Sequence, residues 1–246
     1  PPPPPPPPPF FLHAYAAKRD AQESRGLGDV YKRPAVNLIR DELDEVFPYP
    51  VINVDGAEAD DVIGTLAEYS QTHGTIPQEA GQLPFDEFIP DPFLIISGDH
   101  DFKQLQKYDN VSQWSPLTKK LVEEGHPRQN LKLKILQGDS GDGVPNVLSD
   151  DDTLIEGRRQ TPLSKKKKEA ILQDLADGEL LYAASWYRNY CRNETLIDLS
   201  KTPSSLKQNI INNFMEQDPW GNKGKVFPYL VSKKMNRLIE SVTEFI

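Results

Sequence analysis

The stretch that decides the fold is Phe93-Leu94-Ile95-Ile96, which leads directly into Ser97-Gly98-Asp99-His100-Asp101. A short apolar run without polar interruption predicts a buried strand. Because side chains alternate along an extended segment, Asp99 and Asp101 are expected to point the same way, and His100 elsewhere. Strand ends of this kind border the crevice in which open α/β sheets bind their ligands. The sequence therefore predicts a pair of carboxylates at the edge of a sheet.

Two further acidic clusters lie on either side of this pair along the chain. Glu58-Ala59-Asp60-Asp61 precedes a helical apolar pattern over residues 62–67, so its acids fall in the first turn of a helix, where the helix dipole favours negative charge. Asp139-Ser140-Gly141-Asp142 follows an apolar helix that ends at Gly138. Taken alone, each cluster is compatible with ordinary helix capping or with a turn.

Taken together, the three clusters predict a metal site. Carboxylates that lie close together repel one another unless cations are held between them, and oxygen-only ligands suit Mg²⁺ or Mn²⁺ rather than zinc. Two such cations about 4 Å apart are a recurrent arrangement for phosphodiester hydrolysis. An alternative for the central cluster is the Asp-x-Asp nucleophile of haloacid-type phosphotransferases, in which Gly and then Thr or Val usually follow; here Phe102 and Lys103 follow.

Composition limits the class of protein. The 246 residues suffice for one large domain or two small ones, and the single cysteine, Cys191, excludes an internal disulfide and a zinc cluster. The mean hydropathy is −0.59, and no apolar run reaches transmembrane length, so we expect a soluble protein from a reducing compartment with no membrane contact. The net charge of −9 argues against a nucleic-acid partner unless the acids hold metal and the bases cluster elsewhere.

The chain divides into three predicted regions. Residues 1–34 open with nine prolines and lack a core-forming pattern; they resemble translated adapter sequence, and the alternative is a ligand for a proline-binding domain. We predict that this segment is non-native or disordered. Residues 35–137 read as a partial α/β domain with a parallel sheet, in which Val51–Val54 is an additional strand and residues 74–92 form a loop. Residues 138–246 read as a helical region, with apolar stripes at 206–214 and 231–245.

The bases cluster in the helical region. They are Arg158, Arg159 and the run Lys165-Lys166-Lys167-Lys168. One interpretation is the solvated face of a helix; the other is a surface that binds the phosphates of nucleic acid without reading its sequence. The neighbouring acids Asp150-Asp151-Asp152 fit the second interpretation poorly.

Three segments of the chain carry a resemblance to a known family. Gly56–Ile63, Ser97–Leu105 and Gly138–Pro145 resemble the three carboxylate motifs of the structure-specific 5′ nucleases. That family includes the flap endonucleases and the 5′-nuclease domains of bacterial DNA polymerases. The stretch Lys107–Pro116 narrows the resemblance to the RNase H of T-even bacteriophages and its relatives, and the similarity extends over residues 36–246.

The resemblance implies a site and a fold. Two Mg²⁺ or Mn²⁺ ions are implied, the first held by Asp60 and Asp99 and the second served by Glu58, Asp101, Asp139 and Asp142, with Asp61 as a supporting or capping acid. The implied fold is α/β of the PIN or 5′-nuclease type. A helix–three-turn–helix element follows it and is expected to grip duplex backbone and to bind a monovalent cation. Its contact residues are Gly141, Gly143, Arg158, Arg159, Lys165, Lys166, Lys167 and Lys168.

The resemblance also implies a function. It is a 5′→3′ exonuclease and flap endonuclease that removes RNA primers and adjacent DNA in phage replication. Its substrate is a duplex with a 5′ flap or an RNA–DNA hybrid, a phage single-stranded-DNA-binding protein is a candidate partner, and the site of action is the cytoplasm of an infected bacterium. The family's first strand carries an essential Asp that residues 1–35 do not match. We therefore expect an N-terminally truncated fragment with impaired activity; the alternative is a non-catalytic remnant that binds duplex DNA.

Overall fold

The structure is a computed structural model, and it describes residues 11–13, 27–75, 89–178, 184–218 and 221–245. Two compact units are present. One comprises Pro1–Ala21 and Ala57–Lys207, and the other comprises Gln22–Gly56 and Gln208–Ile246. This division does not test the predicted domain boundaries after residues 34 and 137, which stay predictions. Most of segment 1–34 falls outside the described residues.

The first unit contains a small, partly parallel sheet. Strands β1 (Phe11–His13), β4 (Phe93–Ile96), β5 (Val111–Ser115) and β6 (Lys120–Val122) stand in that order. β1 and β5 run parallel to β4, whereas β6 is antiparallel to β5. A separate antiparallel pair joins β2 (Gly74–Thr75) to β3 (Ile89–Pro90) within the predicted loop, whose residues 76–88 lie outside the described part. The sheet confirms the predicted class, an α/β fold with a partial parallel sheet.

Helix α2 (Ala59–Tyr69) and a 3₁₀ helix (Asp101–Lys107) pack against this sheet. The core between these elements is apolar and buried. It consists of Ile63, Ala67, Ile95, Phe102, Leu105 and Val111. Because α2 buries one face in this core, its first turn, with the acids of the first cluster, is fixed relative to the sheet.

Two helices joined by turns also belong to the first unit. Helix α3 (Pro127–Gln137) and helix α4 (Lys165–Asp177) are separated by three stretches of turn at 140–143, 147–149 and 151–157. This arrangement matches the predicted helix–three-turn–helix element. Helix α5 (Tyr187–Ile197) follows, and a 3₁₀ turn (Leu199–Lys201) leads to α6 (Ser204–Glu216).

The helices of this part share a second core. Ile135 of α3, Val147 of the turns and Ile171 of α4 are buried together with Trp186 and Tyr190. These two aromatic side chains therefore form part of the core that holds α3, α4 and the turns together.

The second unit contains α1 (Leu27–Val46), α7 (Lys223–Ser232), α8 (Asn236–Ile239) and a 3₁₀ turn (Val242–Glu244). Phe47, Val226 and Leu230 form its core. The predicted single stripe over 231–245 is wrong, because α7 ends before Lys234, whose left-handed backbone (φ 55°) interrupts the helix.

The predicted strand Val51–Val54 is also wrong. The segment has no regular structure, and within the described part of the chain no strand pairs with it. In the described ranges, every helix is too short or too polar to cross a bilayer.

Candidate metal centre

The central acids are positioned by the neighbouring strand. After β4, the amide of Asp99 donates to the Ser97 hydroxyl (3.1 Å), and the amide of Asp101 donates to the Asp99 carboxylate (3.0 Å). Gln113 of β5 is fully buried, and its amide nitrogen donates to the carbonyls of Ser97 (2.9 Å) and Asp99 (2.6 Å). His100 is exposed and precedes the 3₁₀ helix. The strand end is therefore held in one conformation from both sides.

The first acidic cluster opens helix α2, as predicted. Glu58 is the residue before the helix, and its amide donates to the Asp61 carboxylate (3.0 Å), which caps the first turn. The Thr202 hydroxyl donates to the other Asp61 oxygen (2.9 Å). Asp61 thus has the capping contacts expected of it, and Asp60 is left to face the other acids.

Asp60 lies in a crowded negative environment. Burial raises its pKa to about 6, and the charges of neighbouring carboxylates add to this effect. Those carboxylates belong to Asp99, Glu58, Asp142 and Asp61. A bound cation would offset both the burial of this carboxylate and the repulsion from its neighbours.

The third cluster depends on a glycine. Gly138 ends α3 with a positive φ of 69°, and a Cβ there would lie 2.3 Å from the Val144 carbonyl oxygen. The chain therefore turns back sharply, with Val144 donating its amide to the Asp139 carbonyl (2.7 Å). The Asp139 carboxylate accepts from the amides of Gly141 (2.9 Å) and Asp142 (3.4 Å). Only glycine fits this approach, so residue 138 fixes where Asp139 lies.

The structure brings the second and third clusters together. One carboxylate oxygen from each of Asp101, Asp139 and Asp142 lies within 4.8 Å of the other two. The ammonium of Lys134, in the last turn of α3, contacts Asp101 and lies 3.1 Å from an Asp139 oxygen. Burial alone would raise the pKa of Asp139, but Lys134 and the two turn amides hold it below its ordinary value.

The donor set fits Mg²⁺ or Mn²⁺. All six predicted acids come from the three converging segments, and carboxylate oxygen is the ligand type that these ions prefer. The acids fall into two neighbouring groups, one around Asp60 and the other around Asp139. Asp142 belongs to the second group and is also close enough to act on the pKa of Asp60, so the two groups adjoin.

The predicted nucleic-acid residues lie in the turns and at the start of α4. Gly141 and Gly143 are exposed, and Gly143 has a positive φ of 75°. Lys165, Lys166 and Lys167 are exposed in the first turn of α4, which Ser164 caps by accepting from the Lys167 amide (3.3 Å). Arg159 and Lys168 line a pocket of about 330 Å³.

The acids Asp150-Asp151-Asp152, which fit a phosphate-binding surface poorly, form ion pairs with nearby arginines. The Arg158 guanidinium contacts Asp152, lies 2.9 Å from Glu156 and lies 3.9 Å from Asp150. Asp151 is paired with arginines of α5, since it contacts Arg192 and lies 2.6 Å from Arg188. Asp150-Asp151-Asp152 therefore hold the last turn together, and Arg158 is largely engaged in that task.

Three residues at the site were not found from the sequence: Lys134, Gln113 and Asn193. Asn193 of α5 is fully buried, and its amide nitrogen donates to the carbonyls of Ile135 (2.8 Å) and Pro145 (2.9 Å). It thus ties α3 to the turn that carries Asp139 and Asp142. The only local signal was polarity, such as a Gln within the otherwise buried positions of β5.

Comparisons with known proteins find relatives among nucleic-acid enzymes. Residues 125–245 match the family model described as T4 RNase H, C terminal. Over 212 residues the chain is 35% identical to ribonuclease H of Enterobacteria phage T4, an alignment that covers 83% of this chain and 63% of that relative. It is also 27% identical over 184 residues to DNA polymerase I of Rhizobium leguminosarum, covering 66% of this chain and 16% of the polymerase.

Two solved structures resemble the fold. A T5 5′-exonuclease mutant has a TM-score of 0.46 at 18% identity, covering 68% of this chain and 69% of that one. The T5 D15 protein co-crystallized with metal ions has a TM-score of 0.43 at 18% identity, covering 82% and 76%.

The class defined by the family model and the T4 relative is that of the 5′ nucleases. Residues 125–245 belong to the family described as T4 RNase H, C terminal, and the chain spans 63% of the length of the T4 relative. This relationship favours a nuclease over the alternative of a haloacid-type phosphotransferase.

Proposed function

We propose that this chain is a divalent-metal-dependent 5′ nuclease that acts as a 5′→3′ exonuclease and flap endonuclease of the RNase H type. Its substrate would be duplex DNA with a 5′ flap, or an RNA–DNA hybrid, in the cytoplasm of a phage-infected bacterium. The observation that carries the proposal is the convergence of Asp101, Asp139 and Asp142 within 4.8 Å, next to a partly buried Asp60. The relationship to a phage ribonuclease H supports the substrate class.

We assign Asp60 and Asp99 to one cation and Asp101, Asp139 and Asp142 to the other. Glu58 was expected to serve the second cation, but because its charge acts on the pKa of Asp60 we propose that it lies beside the first. The bound cations would activate a water molecule and stabilise the charge of the leaving oxygen, so that no protein group need act as general base. The protein's own contribution is to hold the carboxylates in register. Gln113 fixes the backbone of Asp99, and Gly138 with Asn193 fixes the turn of Asp139.

We propose that the start of α4 binds duplex backbone. Positive charge in the first turn of a helix is unfavourable, because the dipole and the free amides already make that end positive. Lys165–Lys168 crowd this turn, an arrangement that becomes favourable when an anion such as a phosphate is bound there. Arg159 and Lys168, which line the adjacent pocket, would extend the same surface.

A second candidate function is duplex binding without cleavage. The observation that favours it is the composition of β1, whose residues Phe11–His13 include no acid although this strand lies directly beside β4. Binding through α4 does not depend on the metal ligands. The two candidates therefore make different predictions for a single substrate. The predicted monovalent cation and single-stranded-DNA-binding partner stay predictions.

A cleavage assay distinguishes the two candidates. A labelled 5′-flap duplex and an RNA–DNA hybrid would be incubated with the chain in Mg²⁺, in Mn²⁺ and in EDTA. A nuclease releases short products only with metal, and Asp139→Asn abolishes their release while leaving duplex binding in place. Binding of both substrates without any metal-dependent product would support the second candidate and exclude the first.

A further inference from the structure

One cationic side chain lies inside the acidic centre. Lys134 belongs to the last turn of α3, and its side chain is only 26% exposed. Its ammonium contacts the Asp101 carboxylate and lies 3.1 Å from the Asp139 carboxylate, and these two side chains are 19% and 29% exposed. It therefore bridges two of the three acids whose oxygens lie within 4.8 Å of one another.

The backbone holds this lysine in place. The carbonyl of Lys134 accepts the amide of Gly138 (2.8 Å), so the lysine lies one helical turn before the sharp bend that positions Asp139. The carboxyl end of a helix also favours a cation. Lysine is a compact point charge that resembles a small cation more closely than arginine does. The fold thus supplies a positive charge at the position where Asp101 and Asp139 would share an ion.

We propose that Lys134 is a resident cation that balances Asp101 and Asp139 and competes with the divalent ion assigned to them. This inference rests on the proposed function, because it concerns the same metal position. A divalent ion between these carboxylates must displace the ammonium or bind beside it, and like charges a few ångströms apart repel strongly in a partly buried site. Lys134 is a positioning residue by this account: it sets the affinity of one metal position and keeps the acids together when that position is empty.

Removing the charge should tighten metal binding. Mg²⁺ and Mn²⁺ would be titrated calorimetrically into the full chain, into Lys134→Met and into Lys132→Met, which changes an exposed lysine of the same helix. We expect Lys134→Met to bind its weaker divalent ion about tenfold more tightly than the unaltered chain, on the order expected for removing a nearby like charge. Lys132→Met should bind as the unaltered chain does.

A second arm separates charge from packing. Lys134→Arg keeps the positive charge and should retain the weak affinity, whereas Lys134→Gln, which loses the charge but can still form a hydrogen bond, should tighten binding as Met does. In the absence of metal, Lys134→Met should melt at a lower temperature, and a saturating concentration of Mg²⁺ should remove most of the difference, since the ion replaces the lost charge.

The outcomes separate this inference from the proposed function. If the unaltered chain binds metal and Lys134→Met binds it equally well or more weakly, the inference fails and the nuclease proposal stands. If Lys134→Arg tightens binding as much as Met does, charge is not the cause and the inference also fails. If neither the unaltered chain nor any variant binds a divalent ion, both proposals fail.

Discussion

Two acidic regions of this molecule use the same residue type in opposite electrostatic states. In the turn at 150–152, arginines of α5 pair with Asp151 and hold its pKa below the ordinary value. In the centre near the sheet, burial and neighbouring carboxylates raise the pKa of Asp60 to about 6. The first region is complete without a ligand, whereas the second carries excess negative charge. A raised pKa therefore marks a carboxylate whose charge is not compensated, as at Asp60, whereas the pKa of Asp139 in the same centre is lowered because Lys134 compensates its charge.

The largest expected difference between the two regions is in the stability gained from Mg²⁺ when their aspartates are replaced by asparagine. At a Mg²⁺ concentration of about 100 times Kd, binding to the native state adds about 2.7 kcal/mol to the free energy of unfolding. The double variant Asp99→Asn, Asp101→Asn should lose this gain, as measured by thermal melts with and without Mg²⁺. The matched variant Asp150→Asn, Asp152→Asn should retain it. An unchanged gain in the first variant would show that the metal binds elsewhere.

The next effect concerns binding of nucleic acid. Replacing Lys165–Lys168 by Ala should flatten the slope of log affinity against log salt by up to about four units, if each lysine meets a phosphate. The loss should be equal for duplexes of different sequence, as measured by fluorescence anisotropy across a salt series. Arg188→Ala, which removes a charge already paired with Asp151, is the control and should leave the slope nearly unchanged. If affinity fell only for some duplex sequences, the lysines would instead be interpreted as the solvated face of a helix.

Two asparagines of α5 each donate hydrogen bonds to backbone carbonyls near one of the two acidic regions, so their substitutions can be compared. Asn193 donates to carbonyls beneath the metal turn, and Asn189 donates to the carbonyls of Val147 and Ser149 (both 3.0 Å), next to the arginine-paired turn. Replacing either by Ala should lower the free energy of unfolding by about 1–3 kcal/mol, because buried carbonyls lose their partner. Only Asn193→Ala should also weaken Mg²⁺ binding. Equal metal affinity in both variants would show that α5 does not position the centre.

The smallest expected effect is on pH dependence. The pKa of Asp60 is raised above the ordinary value of 3.8, so in the absence of metal this group stabilises the fold below pH 3.8, and the contribution is lost as the pH rises through about 6. Metal competes with the same proton. Mg²⁺ affinity should therefore increase by up to about tenfold per pH unit below 6 and level off above it. Asp60→Asn should remove this dependence in titrations from pH 5 to 8, whereas Asp151→Asn should leave it intact.

Sequence patterns identified those elements of the fold that depend on a few neighbouring residues. The apolar run of β4, the capped start of α2 and the glycine after α3 each have a signature within a few residues, and the structure has all three elements. The predicted strand Val51–Val54 failed because a strand also needs a neighbour with which to pair, and no local pattern supplies one. The stripe at 231–245 failed because the left-handed backbone of Lys234 leaves no mark in a residue type that is common in helices.

The acids of the centre could be predicted as a set, but their supports could not. The bonds of Gln113 and Asn193, and the contact of Lys134 with Asp101, join residues 14 or more positions apart, and a single polar residue in a buried element has no pattern of its own. In the same way, the acids at 150–152 looked unfavourable for a phosphate-binding surface until their arginine partners were located in α5. The pairing of side chains that are distant in the chain could not be predicted from the sequence.

The position of Asn193 in the chain has a consequence for the order of synthesis. Its bonds reach back 58 residues to α3 and 48 residues to the turn after Asp142. On a ribosome, all six acids emerge before the side chain that holds the third cluster in place. A nascent chain that stops short of α5 therefore lacks the side chain that supports the third acidic cluster, and this support is added only when most of the first unit has been synthesised.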